Sequence, residues 1–485
     1  MNWILLAEIC YVIFLVLVCL RIIYDTRSTT KALAYLLLVI FLPVLGILFY
    51  LSLGTNYRKR KIYNKKITGT DKQVKKLKEE ILKYSKKSFA EGGDALESNK
   101  ELATMLVRES MSVLTAGNEV KLLVNGETKF PEVVAALEQA TNHIHIQYYI
   151  YEDDEIGKTI ENLLIRKARD GVTVRFIFDD FGSRKIRHKL VPRLQQAGVK
   201  VFPFYKVRFW AFANRINYRN HRKIIIVDGR VGFVGGINVS DRYINPSSGK
   251  KRLFWRDTHL RIEGPGVMPL QHIFLNDWNF CANDDLAPTE QFFPKPGSLP
   301  LKDNKIVQIA ASGPDSDMPT ILFSLLQAIN LASEEILITT PYFIPGESIL
   351  DALIISALGG VSVKLLVPGI SDSKLVNAAA RSYYGDLLDA GVEIYLYQKG
   401  FVHAKSMVTD KKIAIVGSAN MDNRSFDLNF EVNAIVYNEE TAAELADIFY
   451  KDLEEAEKID IKKWKARSWN KRLGERTARL ISPLL

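Results

Sequence analysis

Two histidines, His221 and His403, stand in short strings that nearly repeat: "NHRKIIIVDGRVGFVGGIN" from Asn220 and "VHAKSMVTDKKIAIVGSAN" from Val402. In each copy a lysine falls two positions after the histidine (Lys223, Lys405) and an aspartate seven after (Asp228, Asp410). A small residue follows at fifteen (Gly236, Ser418) and an asparagine at seventeen (Asn238, Asn420). One His-x-Lys alone would carry little weight; the whole pattern twice in one chain is not chance. Side chains two apart on an extended segment share a face, so each histidine projects with its lysine. If the two copies pack about a pseudo-twofold axis, both imidazoles and both lysines converge on one pocket. Lys223, Lys405, Asn238 and Asn420, with Ser418 as a further donor, would then cradle a phosphate. One imidazole can attack phosphorus while the other, protonated, donates to the departing oxygen, a division of labour open to a side chain that titrates near neutrality. The lysines would neutralise an anionic, trigonal-bipyramidal transition state. No carboxylate cluster suggests a metal and no glycine-rich phosphate loop suggests a nucleotide, so neither a metal nor a cofactor is expected.

The elements around these residues alternate between strand-like and helix-like patterns. "HIHIQYYIY" reads as a strand, "EIGKTIENLLIRKARDG" as an amphipathic helix and "VTVRFIFDD" as a strand. The first motif follows as a strand, an Asp-Gly turn and a strand. From Ser333 the same order returns: "EEILITTPYF", "GESILDALIISALGG", "VSVKLLVPG" and then the second motif. The expected fold is α/β, with two homologous lobes that each carry a mixed sheet flanked by helices. The Pro- and Gly-rich stretch 292–305 separates them, giving lobes at 102–291 and 306–485. The first lobe holds an insertion: Gly198 to His221 spans 23 positions and Gly391 to His403 only 12, a difference of 11. It lies in "YKVRFWAFANRINYRN". There Phe209, Trp210 and Phe212 could dip into lipid headgroups while Lys206, Arg208 and Arg215 meet phosphates.

Ahead of the lobes, 3–23 and 32–53 are two apolar runs of about twenty residues, each long enough to cross a bilayer as a helix. They predict a transmembrane hairpin over 1–55 and a basic juxtamembrane segment over 56–101. Between Asn56 and Lys87 there are 13 Lys or Arg and 3 Asp or Glu, 13 − 3 = +10, equal to the net charge of the whole chain. The positive-inside rule keeps this segment and the lobes in the cytoplasm, against anionic lipids; nucleic acid is not the expected partner. Cys10, Cys19 and Cys281 form no disulfide or metal pattern.

The doubled motif resembles the phospholipase D superfamily. With "DDFGS", "WRDTH", "TTPYFIP", "RSYY" and "RLISPLL", the chain resembles the bacterial cardiolipin synthase family within it along essentially its whole length. The resemblance implies a multi-pass enzyme of the bacterial cell membrane. It would transfer a phosphatidyl group from one phosphatidylglycerol to another, with cardiolipin and glycerol as products and a covalent phosphatidyl-histidine as intermediate. Hydrolysis by a membrane phospholipase D, giving phosphatidic acid, is the alternative. The sequence does not settle which histidine attacks; family habit implies His221. The resemblance also implies a later carboxylate to orient each histidine, Glu431 in the second lobe and Asp257 in the first. It makes Asp228 and Asp410, members of the catalytic motif, structural supports rather than proton carriers.

Overall fold

A computed structural model describes residues 3–26, 29–50, 71–110, 112–206, 218–245, 253–294 and 303–480. The N-terminal helices form one compact unit; residues 69–205, 219–313 and 317–485 form another.

In the first unit, Trp3–Asp25 is a single apolar helix, the one described helix long and apolar enough to cross a membrane. The second run departs from the continuous span expected over 32–53. It is broken into Thr29–Phe41 and Pro43–Phe49, with Leu42 at φ −134° between them. Pro43 lacks an amide hydrogen and its ring crowds the preceding turn, so the break falls where proline dictates. Ile22, Val39 and Tyr50 are buried where the helices pack on one another. Residues 51–70, which take in only 56–70 of the basic segment, the 207–217 part of the insertion, 295–302 of the linker and the terminal 481–485 lie outside the described residues. The rest of the basic segment belongs to the second unit: Asp71–Ala90 is a helix with Ser85 and Ser88 buried, and Leu96 joins the core of the second lobe.

The second unit contains the duplication. The first lobe supplies β1 (Leu114–Val124), β2 (His143–Tyr148), β3 (Thr173–Phe178), β4 (Lys200–Pro203), β5 (Ile224–Val227), β6 (Val231–Gly235), β7 (Phe254–Arg256) and β8 (Thr258–Glu263). The second lobe supplies β9 (Lys305–Ser312), β10 (Glu335–Thr339), β11 (Phe343–Ile344), β12 (Ser362–Pro368), β13 (Glu393–Tyr397), β14 (Gly400–Val402), β15 (Ser406–Thr409), β16 (Ile413–Gly417), β17 (Met421–Asp422), β18 (Glu431–Tyr437) and β19 (Ala456–Lys458). Read outward from the junction, the first sheet runs β1-β8-β6-β5-β2-β3-β4 and the second β9-β18-β16-β15-β10-β12-β13, with β19 added at the edge. The seven-strand orders correspond one for one. Antiparallel pairing of β1 with β9 fuses them into one fifteen-stranded sheet. The lobes are therefore joined by backbone hydrogen bonds as well as by side chains.

Helices cover the sheets as the apolar periodicity requires. Glu155–Arg169 starts where Asp154 accepts from the Gly157 N–H at 3.1 Å, and it stops at Gly171, whose φ of +90° suits glycine. Each lobe has its own core: Ile144, Phe176 and Ile225 in the first, Ile336, Leu365 and Ile415 in the second.

Candidate active site

Asp228 and Asp410 explain how the motif strands are registered. Both occupy the turn after a motif strand at positive φ, 53° and 51°. Asp228 accepts from the main-chain N–H groups of Thr141, Asn142 and His143, each at 2.8 Å, and from the Thr141 hydroxyl at 2.9 Å. Asp410 does the same with Ser333, Glu334 and Glu335, each at 2.8 Å, and the Ser333 hydroxyl at 3.0 Å. These carboxylates clamp the starts of β2 and β10. Their oxygens are taken up by these N–H and hydroxyl donors, and neither lines the cavity described below.

The His-x-Lys triplets lie just ahead of β5 and β15 rather than within them. Each is held by the other lobe. The His221 N–H donates to Phe430 O at 2.9 Å, and the His403 N–H donates to Arg256 O at 2.7 Å. Phe430 and Arg256 directly precede Glu431 and Asp257, so the backbone bonds deliver each carboxylate to the opposite lobe's histidine. His221 Nδ1 donates to Glu431 at 2.9 and 3.0 Å; His403 Nδ1 donates to Asp257 Oδ2 at 2.7 Å. With Nδ1 donating to a carboxylate, the Nε2 lone pair is the free one. Linear order had associated Glu431 with the second lobe and Asp257 with the first; in space each serves across the interface.

Both imidazoles line one cavity of about 440 Å³, together with Asn238 and Asn420. Asn238 Nδ2 donates to the Tyr243 hydroxyl at 2.8 Å, and Asn420 Nδ2 donates to Asp422 at 3.1 Å. Each amide nitrogen carries a second hydrogen. The other three cradle residues are placed differently from the sequence expectation. Ser418 is fully buried and its hydroxyl donates to Glu431 at 2.5 Å, so it supports the carboxylate instead of facing the cavity. Lys223 Nζ donates to His221 O at 2.7 Å and Lys405 Nζ to His403 O at 2.5 Å. Neither lysine is among the cavity-lining residues; their charge acts from behind the histidines. Gly236, matching Ser418, lies so close to Asp257 that a Cβ there would be 2.1 Å from its carboxylate.

Burial governs the electrostatics. It lowers His221, opposed by Glu431, and it lowers His403 to about 3, reinforced by Lys405, whose Nζ is 3.0 Å from the ring. Burial also lowers Lys223 to about 7 and Lys405 to about 8. Burial pushes Glu431 and Asp257 up, but neighbouring cations outweigh it and both stay below the ordinary carboxylate range. A group of this kind can bind an anionic centre, offer a neutral nitrogen to it and pass a proton.

The cavity holds further residues that the motif comparison did not single out. Tyr149 meets His221 edge-on at 4.8 Å, and Arg219, Arg424 and Asp372 line the same wall system. One signal was available: Arg242 and Arg424 both fall 21 positions after their histidine (242 − 221 and 424 − 403), and both line the cavity. Asp179 of "DDFGS" accepts from the Asn220 N–H at 3.1 Å and so fixes the residue before His221. Among the described residues no group of His, Cys, Asp and Glu could hold a metal ion.

Comparison with known proteins agrees with this arrangement. Residues 133–248 and 325–453 match the family described as cardiolipin synthase, PLD-like domain, and residues 12–54 match the phospholipase D-nuclease N-terminal family. The chain is 40% identical to the cardiolipin synthase of Halalkalibacterium halodurans, over 100% of this chain and 95% of that one. It is 39% identical to the major cardiolipin synthase of Bacillus subtilis, over 99% of each. The crystal structure of Haemophilus influenzae phosphatidylserine synthase shares the fold, with a TM-score of 0.58 at 13% identity over 80% of this chain and 100% of that one. The duplicated lobes, the paired motifs and the full-length identity agree, and the chain belongs to the cardiolipin synthase family of phospholipase D-like enzymes.

Proposed function

We propose that the protein makes cardiolipin by moving a phosphatidyl group from one phosphatidylglycerol to the terminal hydroxyl of a second, releasing glycerol. The observation that carries this reading is the crossed pair, His221 with Glu431 and His403 with Asp257, on one cavity. In the first step His403, protonated at Nε2 when the anionic phosphate binds against it, stands opposite His221; His221 Nε2 attacks phosphorus, the bond from phosphorus to the glycerol oxygen breaks, and His403 gives that oxygen its Nε2 proton. In the second step the entering hydroxyl returns a proton to His403, its oxygen bonds to phosphorus, and the phosphorus–nitrogen bond breaks. Lys405 against the His403 ring makes that imidazole the stronger acid, which suits protonation of a departing alkoxide. His221 lacks such a contact and keeps the greater basicity, which suits attack. Lys223, Lys405, Asn238 and Asn420 stabilise the phosphate oxygens, the lysines by field and the amides by contact. Asp228 and Asp410 hold the strands.

In this reading 1–55 is a membrane hairpin, the basic positions from 56 lie on anionic lipid until the chain packs onto the lobes through Ser85, Ser88 and Leu96, and the lobes 102–291 and 306–485, joined by 292–305, face the cytoplasm in a multi-pass enzyme of the cell membrane. No cofactor takes part. The test is to incubate the purified full chain with labelled phosphatidylglycerol in mixed micelles and identify both products. Cardiolipin and glycerol in equal amounts are expected. Phosphatidic acid and glycerol without cardiolipin would mean that water resolves the intermediate.

A further inference from the structure

Arg219 is only 4% exposed, yet both terminal nitrogens of its guanidinium lack a hydrogen-bond partner. Its nearest carboxylate oxygen, on Asp179, is 3.9 Å away, too far for a hydrogen bond. The group stacks on Phe181 at 4.7 Å and lines the cavity. Leaving such a strong donor buried and unmet costs free energy, so its place on a cavity wall points to a ligand. Arg424 lines the same cavity and lies within electrostatic range of Arg219. Among the described residues no carboxylate pairs with Arg424. Its counterpart Arg242 is different: it bonds Glu152 at 3.3 Å and stacks on Trp255 at 5.4 Å. Tyr149 joins these two arginines to the chemistry, since its ring touches His221 and its hydroxyl feels both cations.

The reacting phosphate already has the lysines and asparagines. Two arginines set together with one distant carboxylate at Arg219, and with the Arg219 terminal nitrogens unbonded, therefore call for a second anion. Resting on the reading of the reaction above, we infer that Arg219 and Arg424 bind the phosphodiester of the acceptor lipid, a second phosphate separated from the reacting phosphorus by one three-carbon bridge. Guanidinium groups present paired donors that match phosphate oxygens. Such a subsite would favour an acceptor that carries its own phosphate over free glycerol or water.

Free glycerol supplies the control, because its attack on the phosphatidyl-enzyme regenerates phosphatidylglycerol without a second phosphate. The experiment uses the full chain in phosphatidylglycerol micelles with labelled glycerol. It records cardiolipin synthesis and label exchange into phosphatidylglycerol in the same tube. In Arg219→Gln and in Arg424→Gln the ratio of synthesis to exchange should fall at least tenfold, with Arg219→Lys recovering part of it. Arg424 is less buried, so its variant decides the matter if Arg219→Gln misfolds and loses both rates. Synthesis and exchange falling in proportion in Arg424→Gln, or an unchanged ratio, would overturn the inference and make these arginines ligands of the reacting phosphate or supports. Wild-type enzyme that makes no cardiolipin at all would sink the underlying reading instead.

Discussion

The two ends of the cavity come from equivalent segments yet differ in charge. At the His221 end stand Tyr149, Arg219 and Arg424, and Lys223 turns its Nζ to a carbonyl. At the His403 end, Trp255 is 5.4 Å from the imidazole, the Tyr342 hydroxyl donates to Asp372 at 2.6 Å, and Asp422 accepts from Asn420. Lys405 also lies against the His403 ring. At the periphery the lobes stay alike, as the matching clamps of Asp228 and Asp410 show. Duplication preserved what holds the strands and let the walls diverge. An asymmetric reaction, attack on one side of phosphorus and proton transfer on the other, needs that divergence.

The comparison can be broken at several levels. The largest effect should come from the histidines: His221→Ala and His403→Ala should each lower cardiolipin synthesis by about 10³-fold or more. A variant within tenfold of wild type would mean that its half is dispensable. Next are the carboxylates, Glu431→Gln and Asp257→Asn, with losses of about 10²-fold or greater. Asp257→Asn should be the worse of the two, because it removes the carboxylate that most strongly opposes Lys405 beside His403; equal losses would make the halves equivalent. The pH dependence is smaller. Lys223 and Lys405 are depressed to about 7 and about 8, so the free enzyme loses positive charge as pH rises through that window. kcat/KM for phosphatidylglycerol should therefore fall above pH 8, while kcat holds to higher pH because bound phosphate favours the protonated lysines. A flat kcat/KM profile up to pH 10 would count against their role. Smallest for catalysis are Asp228→Ala and Asp410→Ala. Each should cost about 2–3 kcal/mol of stability, the scale for lost hydrogen bonds to a charged group, read from denaturant unfolding. Unequal costs would show that the lobes differ at their clamps as well as at the site.

Much of this was legible in the residues themselves. The repeat of offsets gave the two lobes, and the strand orders correspond because the elements recur in the same sequence. The β5–β6 hairpin followed from an Asp-Gly turn between apolar runs. What the linear order hid was the exchange between lobes. Glu431 lies 28 positions after His403 yet bonds His221, a pairing fixed by Phe430 and Arg256 accepting backbone hydrogens across the interface. Ser418 was misplaced because spacing cannot tell a donor that faces the cavity from one turned toward a buried carboxylate. Arg219 escaped for another reason. The second lobe has Phe401 at the matching position, and a search for shared residues is blind to those that only one lobe keeps. The break at Pro43 shows the converse: hydropathy measured the length of the run, while proline set its geometry.

The most direct test of two imidazoles dividing one reaction is to quench the enzyme with labelled phosphatidylglycerol and map the adduct by mass spectrometry. The phosphatidyl group should be found on the His221 ring and nowhere else, and it should be absent from His221→Ala. Label on His403 in the wild-type enzyme, or on neither histidine while cardiolipin still forms, would contradict the account.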